Sequence, residues 1–360
     1  MDNFGHKGND NQTRNQDYIQ LHEKLTVVEG HSDLMIDIYR RHQRGERAVF
    51  LNNYANELRK GGVNVIILST GGDSGAQNVG SDDPLWMTLK RIQAVSREND
   101  ESGEVVSLCT SIRDMKKALA DKKIAMFMMI EGGRPLRDDL AMVELYYRLG
   151  IRSIQITWNG RNLLGDGCGE RETNGRVTRF GKSVVKEMNR LGMVVDVSHA
   201  SDSTFYSVAD TSDSPIIASH ANARAVCAHV RNLTDEQIKI LAEKNGVMGI
   251  CYYPAFIDPE KASLERLLDH VDHIADLVGV NTISLGPDFI DYALDIIFTN
   301  LKFAGQGTDY GSEYLLPDEI KDVTTLPNLT RGLLRRGYSE EDIGKILGNN
   351  LIRVYKQVVG

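Results

Sequence analysis

Residues 193–220 read MVVDVSHASDSTFYSVADTSDSPIIASH, a stretch that predicts a strand, a helix and a second strand. Both strand runs are short, apolar and rich in β-branched residues, and they end at His199 and His220. The segment between them, Asp202–Thr211, has helical periodicity. This succession is typical of a βαβ unit, in which both histidines would follow the carboxyl ends of parallel strands.

The same alternation continues along the chain. Eight apolar runs predict strands, at Leu25–Gly30, Val63–Ser69, Ile124–Ile130, Ile151–Thr157, Met193–Ser198, Pro215–Ser219, Gly246–Tyr252 and Thr282–Leu285. Eight segments have helical periodicity: Arg47–Lys60, Asp83–Asn99, Ser111–Lys122, Asp138–Leu149, Arg179–Leu191, Asp202–Thr211, Thr234–Lys244 and Leu264–Val278. Eight strand–helix units predict an α/β fold, a (β/α)8 TIM barrel whose active site lies at the C-terminal strand ends. An open doubly wound sheet would show the same alternation, so the count favours the barrel without excluding that sheet.

The chain of 360 residues is long enough for one large domain or for two. The barrel pattern favours a single catalytic domain over residues 20–360. Residues 1–19 are predicted to form a mobile N-terminal arm. Residues 291–319, after the eighth strand, are predicted to be an insertion that could cover the barrel mouth.

Composition and charge exclude several classes of protein. A hydrophobic fraction of 41% and a charged fraction of 26% are those of a folded globular protein. The net charge is −8 and no long basic run occurs, so a nucleic-acid partner is not expected. No apolar run is long enough to predict a membrane span, and the polar N-terminal residues predict no secretory signal. The four cysteines are Cys109, Cys168, Cys227 and Cys251. They are far apart and form no CxxC pair, which favours a reducing cytoplasm.

Three histidines directly follow predicted strands, namely His31, His199 and His220. Asp33 follows His31 by two residues, and because strand side chains repeat with period two, both would point to the same side. Glu131 ends the third strand after seven apolar residues, where burial is costly unless the carboxylate is paired or bound to a cation. We therefore expect these five side chains to meet at the barrel mouth.

Imidazole and carboxylate ligands suit Zn²⁺, with Mn²⁺, Co²⁺ or Fe²⁺ as competitors. Five ligands are too many for one tetrahedral catalytic site that keeps a water position open. They suit two metal ions about 3.5–4 Å apart, joined by a bridging carboxylate and a bridging hydroxide that acts as the nucleophile. The alternative is that these residues only form hydrogen bonds with one another in a polar barrel mouth.

The other histidines carry weaker signals. Four of them have polar surroundings and are predicted to lie on the surface: His6, His22, His42 and His229. His270 and His273 are spaced i, i+3 in a predicted helix, which would allow both to bind one metal ion. Because helical histidines at this spacing more commonly lie on the surface, we predict a surface position for His270 and His273.

Seven motifs together resemble the membrane dipeptidase (renal dipeptidase) family, metal-dependent peptidases of the amidohydrolase barrel superfamily. They are GHSD, IEGG, RFGKSVVKEMNRLGMVVDVSHASDSTFYSV, SPIIASHANARAVCAHVRNLTDEQI, HVDHIADLVGV, ISLGPDF and LGNNLIRV. The resemblance extends from about Glu29 to Tyr355. It implies a barrel of the metal-dependent hydrolase type and a homodimer.

The resemblance also implies roles for individual residues. Two Zn²⁺ ions per chain would be bound, one by His31 and Asp33 and the other by His199 and His220, with Glu131 bridging both. Arg231 would bind the free carboxylate of the substrate, which suits the planar guanidinium. Asp288 would protonate the leaving amine or bind the substrate ammonium, a proton-transfer role that a carboxyl group near two cations can perform.

One position departs from the family pattern. In the mammalian-type members, a histidine that contacts the oxyanion stands where this chain has Trp158. Trp158 and Asn159 are therefore candidate substrate-binding residues, and Asn159, Arg161 or the metal ions would replace the oxyanion donor. The signal and lipid-anchor segments are also missing, which favours a soluble intracellular enzyme.

Three functions remain open from the sequence. The first is a zinc-dependent dipeptidase that cleaves small dipeptides, including those with a D-residue at the C-terminal side. The second is an amidohydrolase that acts on another small carboxylate-bearing substrate, such as an N-acyl amino acid, a lactam or a lactone. The third is a non-catalytic binding protein, which a complete ligand set disfavours. Arg231 is useful only if the substrate carries an anionic end.

Overall fold

A computed structural model of the chain describes residues 17–73, 83–173, 175–294 and 316–360. Within these ranges, nine strands form one sheet in which every pairing is parallel. They are β1 (Val27–Ser32), β2 (Val63–Gly72), β3 (Val106–Leu108), β4 (Ile124–Glu131), β5 (Ile151–Gln155), β6 (Val194–Asp196), β7 (Ile216–Ala218), β8 (Val247–Ile250) and β9 (Ile283–Leu285). Most of the predicted arm (residues 1–19) and of the predicted insertion (residues 291–319) lies outside the described residues.

The strands form a nearly closed barrel. Eight of them pair in the order β1-β2-β4-β5-β6-β7-β8-β9, and β9 lies against β1. A Cβ atom added to Gly30 in β1 would lie 2.5 Å from the carbonyl oxygen of Leu285 in β9, so only glycine allows the two strands to come this close. The predicted (β/α)8 TIM barrel is confirmed. The short strand β3 was not predicted, and it pairs only with the first three residues of β4.

Helices surround the barrel. The described part of the chain contains α1 (residues 17–24), α2 (Met35–Gln43), α3 (Ala55–Lys60), α4 (Pro84–Glu101), α5 (Ile112–Ala120), α6 (Ala141–Arg148), α7 (Arg179–Leu191), α8 (Asp202–Thr211), α9 (Asp235–Glu243), α10 (Pro254–Ile257), α11 (Leu264–Val278), α12 (Pro327–Arg335), α13 (Glu340–Gly344) and α14 (Asn350–Val358). All eight predicted helical segments are helical. Helices α1, α2 and α10 and the C-terminal helices were not predicted, and α1 includes residues 17–19 of the predicted N-terminal arm. None of the described helices combines the length and apolar character needed to cross a membrane.

The C-terminal helix α14 closes the N-terminal end of the barrel. Its buried residues Leu351, Val354 and Tyr355 belong to the same apolar cluster as inward-facing strand residues such as Val28 and Phe127. The rings of Phe127 and Tyr355 meet edge to face, with centroids 5.2 Å apart. This apolar floor separates the opposite, polar end of the barrel from solvent below.

Several histidine predictions were wrong because neighbouring elements cover the ring. His22 is 2% exposed, and its Nδ1 and Nε2 lie 2.7 Å from Thr330 Oγ1 and 2.9 Å from the Gly61 carbonyl oxygen. The side chain of His42 is buried against Glu98, with Nε2 2.5 Å from Oε1. His229 is half-buried and packs on a phenylalanine ring, and His6 lies outside the described residues.

His270 is neither a surface residue nor placed to bind a metal ion. Its Nδ1 accepts a hydrogen bond from the backbone N–H of Ala223 (3.1 Å), and its Nε2 donates to the carbonyl oxygen of Ile257 (3.0 Å). Burial lowers the pKa of His270 to about 4, so the ring is neutral. His273 forms a separate contact, with Nε2 2.7 Å from Asp235 Oδ1.

Candidate active site

Six ionisable side chains meet at the C-terminal end of the barrel, as expected for the functional face of this fold. They leave the ends of β1, β4, β6, β7 and β9, or the residues that directly follow these strands. The six are His31, Asp33, Glu131, His199, His220 and Asp288. All had been singled out from the sequence as ligand or catalytic candidates.

One half of the cluster is centred on His31. Its Nε2 lies 3.6 Å from Glu131 Oε1, 3.9 Å from Asp33 Oδ1 and 3.7 Å from Asp288 Oδ1. His31 is fully buried, and neither of its ring nitrogens has a hydrogen-bond partner among the described residues. A buried imidazole surrounded by carboxylates but bonded to none of them has the arrangement of a ligand to a shared cation.

The other half of the cluster contains the remaining two histidines. Glu131 Oε1 lies 3.3 Å from His199 Nε2 and 3.6 Å from His220 Nε2. The two Nε2 atoms are 2.9 Å apart. Glu131 Oε1 therefore faces the Nε2 atoms of all three histidines. The His220 ring lies next to both other rings, with centroids 3.9 Å from that of His31 and 4.9 Å from that of His199.

The electrostatics of this cluster fit a divalent metal centre. Burial raises the pKa of Glu131 well above its usual range, and the carboxylates of Asp33 and Asp288 raise it further. Burial also lowers the pKa values of His199 and His220 well below the usual range, so both rings are neutral, the form that binds metals. Buried carboxylates and imidazole lone pairs that face one another are costly unless a cation binds between them. Two groups in the cluster have ligand atoms close enough to hold an ion: His31, Glu131 and His220, and His31, Asp33 and Asp288.

The backbone is unusual at two of these residues. His199 has φ 65° and Asp288 has φ 58°, values in the left-handed region that non-glycine residues seldom adopt. Beside Glu131, Gly132 has φ 108°, and a Cβ atom there would lie 2.3 Å from Asp73 Cγ. The chain thus adopts uncommon backbone conformations where it turns ligand side chains into the site. Periodicity in the sequence gave no sign of them.

Two buried aspartates that sequence reasoning missed support the loops around the cluster. Asp73 follows β2; its Oδ1 accepts from the backbone N–H of Arg134 (2.7 Å), and its Oδ2 accepts from Asn162 Nδ2 (2.7 Å). Asp196 ends β6, and its Oδ1 accepts from the backbone N–H groups of Ser198 (2.9 Å) and Ser219 (3.1 Å). Asp196 thereby links the segments that carry His199 and His220. Its position at the end of the apolar run MVVD was a signal that could have revealed it.

Arg231 supplies a buried positive charge beside the cluster. It is 2% exposed, and its Nη2 donates to the carbonyl oxygen of His220 (3.1 Å). Its Nε and Nη1 have no hydrogen-bond partner in the described ranges. The guanidinium carbon lies 5.2 Å from the centroid of the Phe256 ring. A buried guanidinium with two unused donors is suited to bind an anion.

The candidates at residues 158–161 have different surroundings. The Trp158 ring stacks on the His199 ring, with centroids 5.6 Å apart. Asn159 is fully buried, and its Oδ1 lies 2.6 Å from His199 Nδ1. Arg161, considered as an oxyanion donor, forms an ion pair with Asp166, with Nε 2.6 Å from Oδ1. Of these three residues, Trp158 and Asn159 contact the metal-ligand candidates.

Comparison with known proteins identifies the family. The sequence model described as membrane dipeptidase (peptidase family M19) matches residues 15–296 and 290–359. The chain belongs to this family. The resemblance that the motifs indicated is confirmed, and the polar cluster lies where a hydrolase of the (β/α)8 class carries its active site.

Individual proteins are also similar to this chain over most of its length. Dipeptidase tcpJ of Claviceps purpurea is 30% identical over 274 residues, which is 75% of this chain but only 60% of that protein. An amidohydrolase from Pseudomonas aeruginosa is 25% identical with a TM-score of 0.81, covering 95% of this chain and 99% of its own. A metallopeptidase from Rhodobacter sphaeroides, liganded with a phosphinate mimic of the dipeptide L-Ala-D-Ala, is 22% identical with a TM-score of 0.78, covering 93% and 99%.

Proposed function

We propose that this protein is a zinc-dependent dipeptidase with two Zn²⁺ ions per chain that hydrolyses the peptide bond of small dipeptides. The observation that carries the proposal is the position of Arg231. Its guanidinium is buried, and its Nη2 donates to the backbone carbonyl oxygen of His220. Its Nε and Nη1 have no hydrogen-bond partner among the residues that the structure describes. A carboxylate bound there lies beside the candidate metal ligands, as the end of a dipeptide would.

In this proposal the cluster is divided between two ions. His31 and Asp33 would hold one ion, His199 and His220 would hold the other, and Glu131 would serve as a ligand to both. Glu131 Oε1 is within 3.3–3.6 Å of the Nε2 atoms of all three histidines, which supports the bridging role. The chemistry that such ions supply is activation of a water nucleophile and stabilisation of the negative charge that develops on the carbonyl oxygen.

Arg231 sets the length of the substrate. A planar guanidinium binds a carboxylate with two parallel hydrogen bonds. A hydrogen bond to a charged group contributes about 1.5–3 kcal/mol. Arg231 donates a hydrogen bond to the backbone of His220, a candidate metal ligand. A substrate carboxylate bound by Arg231 would therefore lie close to the scissile bond. This geometry favours a substrate whose C-terminal residue directly follows that bond.

Asp288 is the proposed proton donor to the leaving amine. Burial raises its pKa well above the usual range, and the Asp33 carboxylate raises it further, whereas Arg231 lowers it. A carboxyl group with a raised pKa can take up a proton and deliver it as the peptide bond breaks. Its Oδ1 lies 3.7 Å from His31 Nε2, within the same cluster.

A related function is the main alternative. Arg231 would equally bind the carboxylate of an N-acyl amino acid, a lactam or a lactone, because it recognises only the anionic end. The dipeptide is favoured because one relative is a dipeptidase and another is liganded with a dipeptide mimic. That mimic carries a D-residue at its C-terminal side, so L,D-dipeptides belong among the substrates to be tested.

The test combines metal analysis with a substrate panel. We expect about two divalent ions per chain by elemental analysis, and turnover of L,L- or L,D-dipeptides that chelator removes. Stoichiometry near one with full activity would overturn the binuclear centre. Turnover of N-acyl amino acids, lactams or lactones in preference to every dipeptide would favour the alternative.

The Arg231→Ala variant tests the carboxylate site. It should raise KM for free dipeptides roughly ten- to a hundredfold, as expected for the loss of a charge-assisted hydrogen bond. Arg231→Lys should recover only part of the loss, because an ammonium lacks the planar fork. Arg335→Ala is the control, because that arginine is exposed and pairs with Glu265. Equal KM values in wild type and Arg231→Ala would refute the carboxylate site.

A further inference from the structure

The three histidines of the cluster differ in what faces their second ring nitrogen. His31 Nδ1 has no hydrogen-bond partner within the described ranges. His220 Nδ1 lies 2.8 Å from the hydroxyl of Ser219, which can donate or accept. His199 Nδ1 lies 2.6 Å from Asn159 Oδ1. A carbonyl oxygen only accepts, so among these contacts only Asn159 imposes one tautomer on its histidine.

The orientation of the Asn159 amide follows from its neighbours. The thiol of Cys168 also donates to Asn159 Oδ1, at 3.3 Å. The contact from this thiol donor identifies the atom as the oxygen of the amide, which can only accept. The Nδ1 of His199 therefore carries the proton, and its Nε2 presents a lone pair toward Glu131 and His220.

The backbone holds Asn159 at this position. Its carbonyl oxygen accepts from the N–H of Gly169 (2.8 Å), and the N–H of Cys168 donates to the carbonyl oxygen of His199 (2.7 Å). These bonds attach the segment of Asn159 to that of His199 without using the Asn159 side chain. A substitution at Asn159 should therefore change the contact to the ring and leave the chain path intact.

The geometry points to Asn159 as a positioning residue that fixes the tautomer and ring orientation of His199 for metal binding. This assignment rests on the metal centre of the proposed function. It differs from the role in substrate binding predicted from the sequence, because the oxygen of the amide faces a ligand ring. Removal of such a partner commonly weakens metal affinity about 10–100-fold, because the ring loses its preferred orientation.

The test compares two substitutions of similar size with a distant control. Asn159→Leu removes the acceptor, whereas Asn159→Asp keeps one. The control is Asn189→Leu, since Asn189 Oδ1 also accepts from two donors, Asp213 N (2.8 Å) and Ser212 Oγ (3.2 Å), but lies at the end of α7. Competition with a chelator measures the affinity for each Zn²⁺ ion, and ¹⁵N NMR of the metal-free protein reports the His199 tautomer.

We expect Asn159→Leu to bind one of its two ions about 10–100-fold more weakly and to show a mixture of His199 tautomers. Asn159→Asp and Asn189→Leu should keep both affinities near those of wild type. The proposal is overturned if Asn159→Leu retains both ions, if Asn159→Asp loses an ion as readily as Asn159→Leu, or if the wild-type ring carries its proton on Nε2. A wild-type protein that binds no divalent ion would refute the proposed function instead, and the NMR measurement would still test the role of Asn159.

Discussion

The two ends of the barrel differ in chemical character, since one is apolar and the other is polar. At the N-terminal end, α14 places Leu351, Val354 and Tyr355 against inward-facing apolar strand residues, and every one of these side chains is buried. At the C-terminal end, three neutral histidines and three carboxyl groups are crowded together, with the buried cation of Arg231 beside them. One end is packed and the other is charged.

This contrast shows where the molecule gains stability and where it loses stability for function. Burial of apolar side chains stabilises the floor by roughly 25 cal/mol per Å² removed from water. Buried polar atoms that have no partner in the described part of the chain, such as His31 Nε2 and Arg231 Nε, destabilise the mouth until a ligand binds them. The floor therefore stabilises a site that by itself disfavours folding.

The largest expected effect comes from removing the central charge of the mouth. Glu131→Gln should lower metal content and reduce turnover on the order of 10³-fold or more, because loss of metal ions removes several kcal/mol of charge stabilisation. The metal-free variant should nevertheless melt at a higher temperature than metal-free wild type. Burial and two nearby carboxylates disfavour an ionised Glu131, and the amide avoids that cost.

Elemental analysis, turnover and calorimetry of the metal-free proteins check this prediction. A lower melting temperature for metal-free Glu131→Gln would contradict the idea that the mouth opposes folding. Retention of two ions with normal turnover would contradict the bridging role.

The matching change at the floor should have the opposite character. Leu351→Ala removes a side chain that is 2% exposed, and comparable deletions from protein cores cost about 2–5 kcal/mol of unfolding free energy. We expect the metal content and kcat of the folded protein to stay near wild type. Denaturant titration and elemental analysis measure the two quantities. Loss of metal affinity in proportion to stability would show that the two ends are not independent.

A smaller effect is expected from a substitution at the barrel mouth that removes the proposed proton donor but none of the proposed metal ligands. Asp288→Asn should reduce kcat on the order of 10²-fold, because the amide cannot transfer the proton. Asparagine tolerates the left-handed backbone at this position, where φ is 58°, so the loop should be retained. The metal content should remain at its wild-type value. Turnover near that of wild type would assign Asp288 to substrate positioning instead.

The fold was predictable because its signals are local. Most barrel strands contain a short apolar run, such as Ile124–Ile130, and the predicted helices have a regular apolar period. The runs that were missed are weak for physical reasons. Strand β3 has only three residues, two of them half-buried. Helix α2 begins after Leu34, which offers no side-chain cap of the kind that marks a helix start.

The site was predictable as a set of residue types at strand ends, but its supporting contacts were not. Asn159 and His199 are 40 positions apart, and Asp73 contacts a segment about 60 positions away, so no local period connects them. The left-handed backbone of His199 depends on loop packing in three dimensions. Burial of His22 and His270 had the same origin, because the covering groups, Thr330 and Ile257, belong to other segments.

The smallest predicted effect concerns a histidine outside the site. His270 is satisfied at both nitrogens as a neutral ring, and burial lowers its pKa from 6.5 to about 4, modulated by Arg266, Asp269 and His273. Between these pH values the unfolded chain binds a proton that the folded chain does not. The titration of His270 therefore leaves the free energy of unfolding nearly unchanged above pH 6.5 and lowers it as the pH falls toward 4. The slope approaches 1.4 kcal/mol per pH unit, or roughly 1 kcal/mol between pH 6.5 and 5.5.

The variant His270→Gln lacks this titration. The difference in unfolding free energy between wild type and variant should therefore shrink by roughly 1 kcal/mol from pH 6.5 to 5.5 and stay constant above pH 7. Denaturant titrations of the metal-free proteins at each pH measure it. Parallel pH curves for the two proteins would show that His270 does not resist protonation in the fold. The contrast between His270, which is hydrogen-bonded at both nitrogens, and the buried histidines of the mouth would then lose its energetic basis.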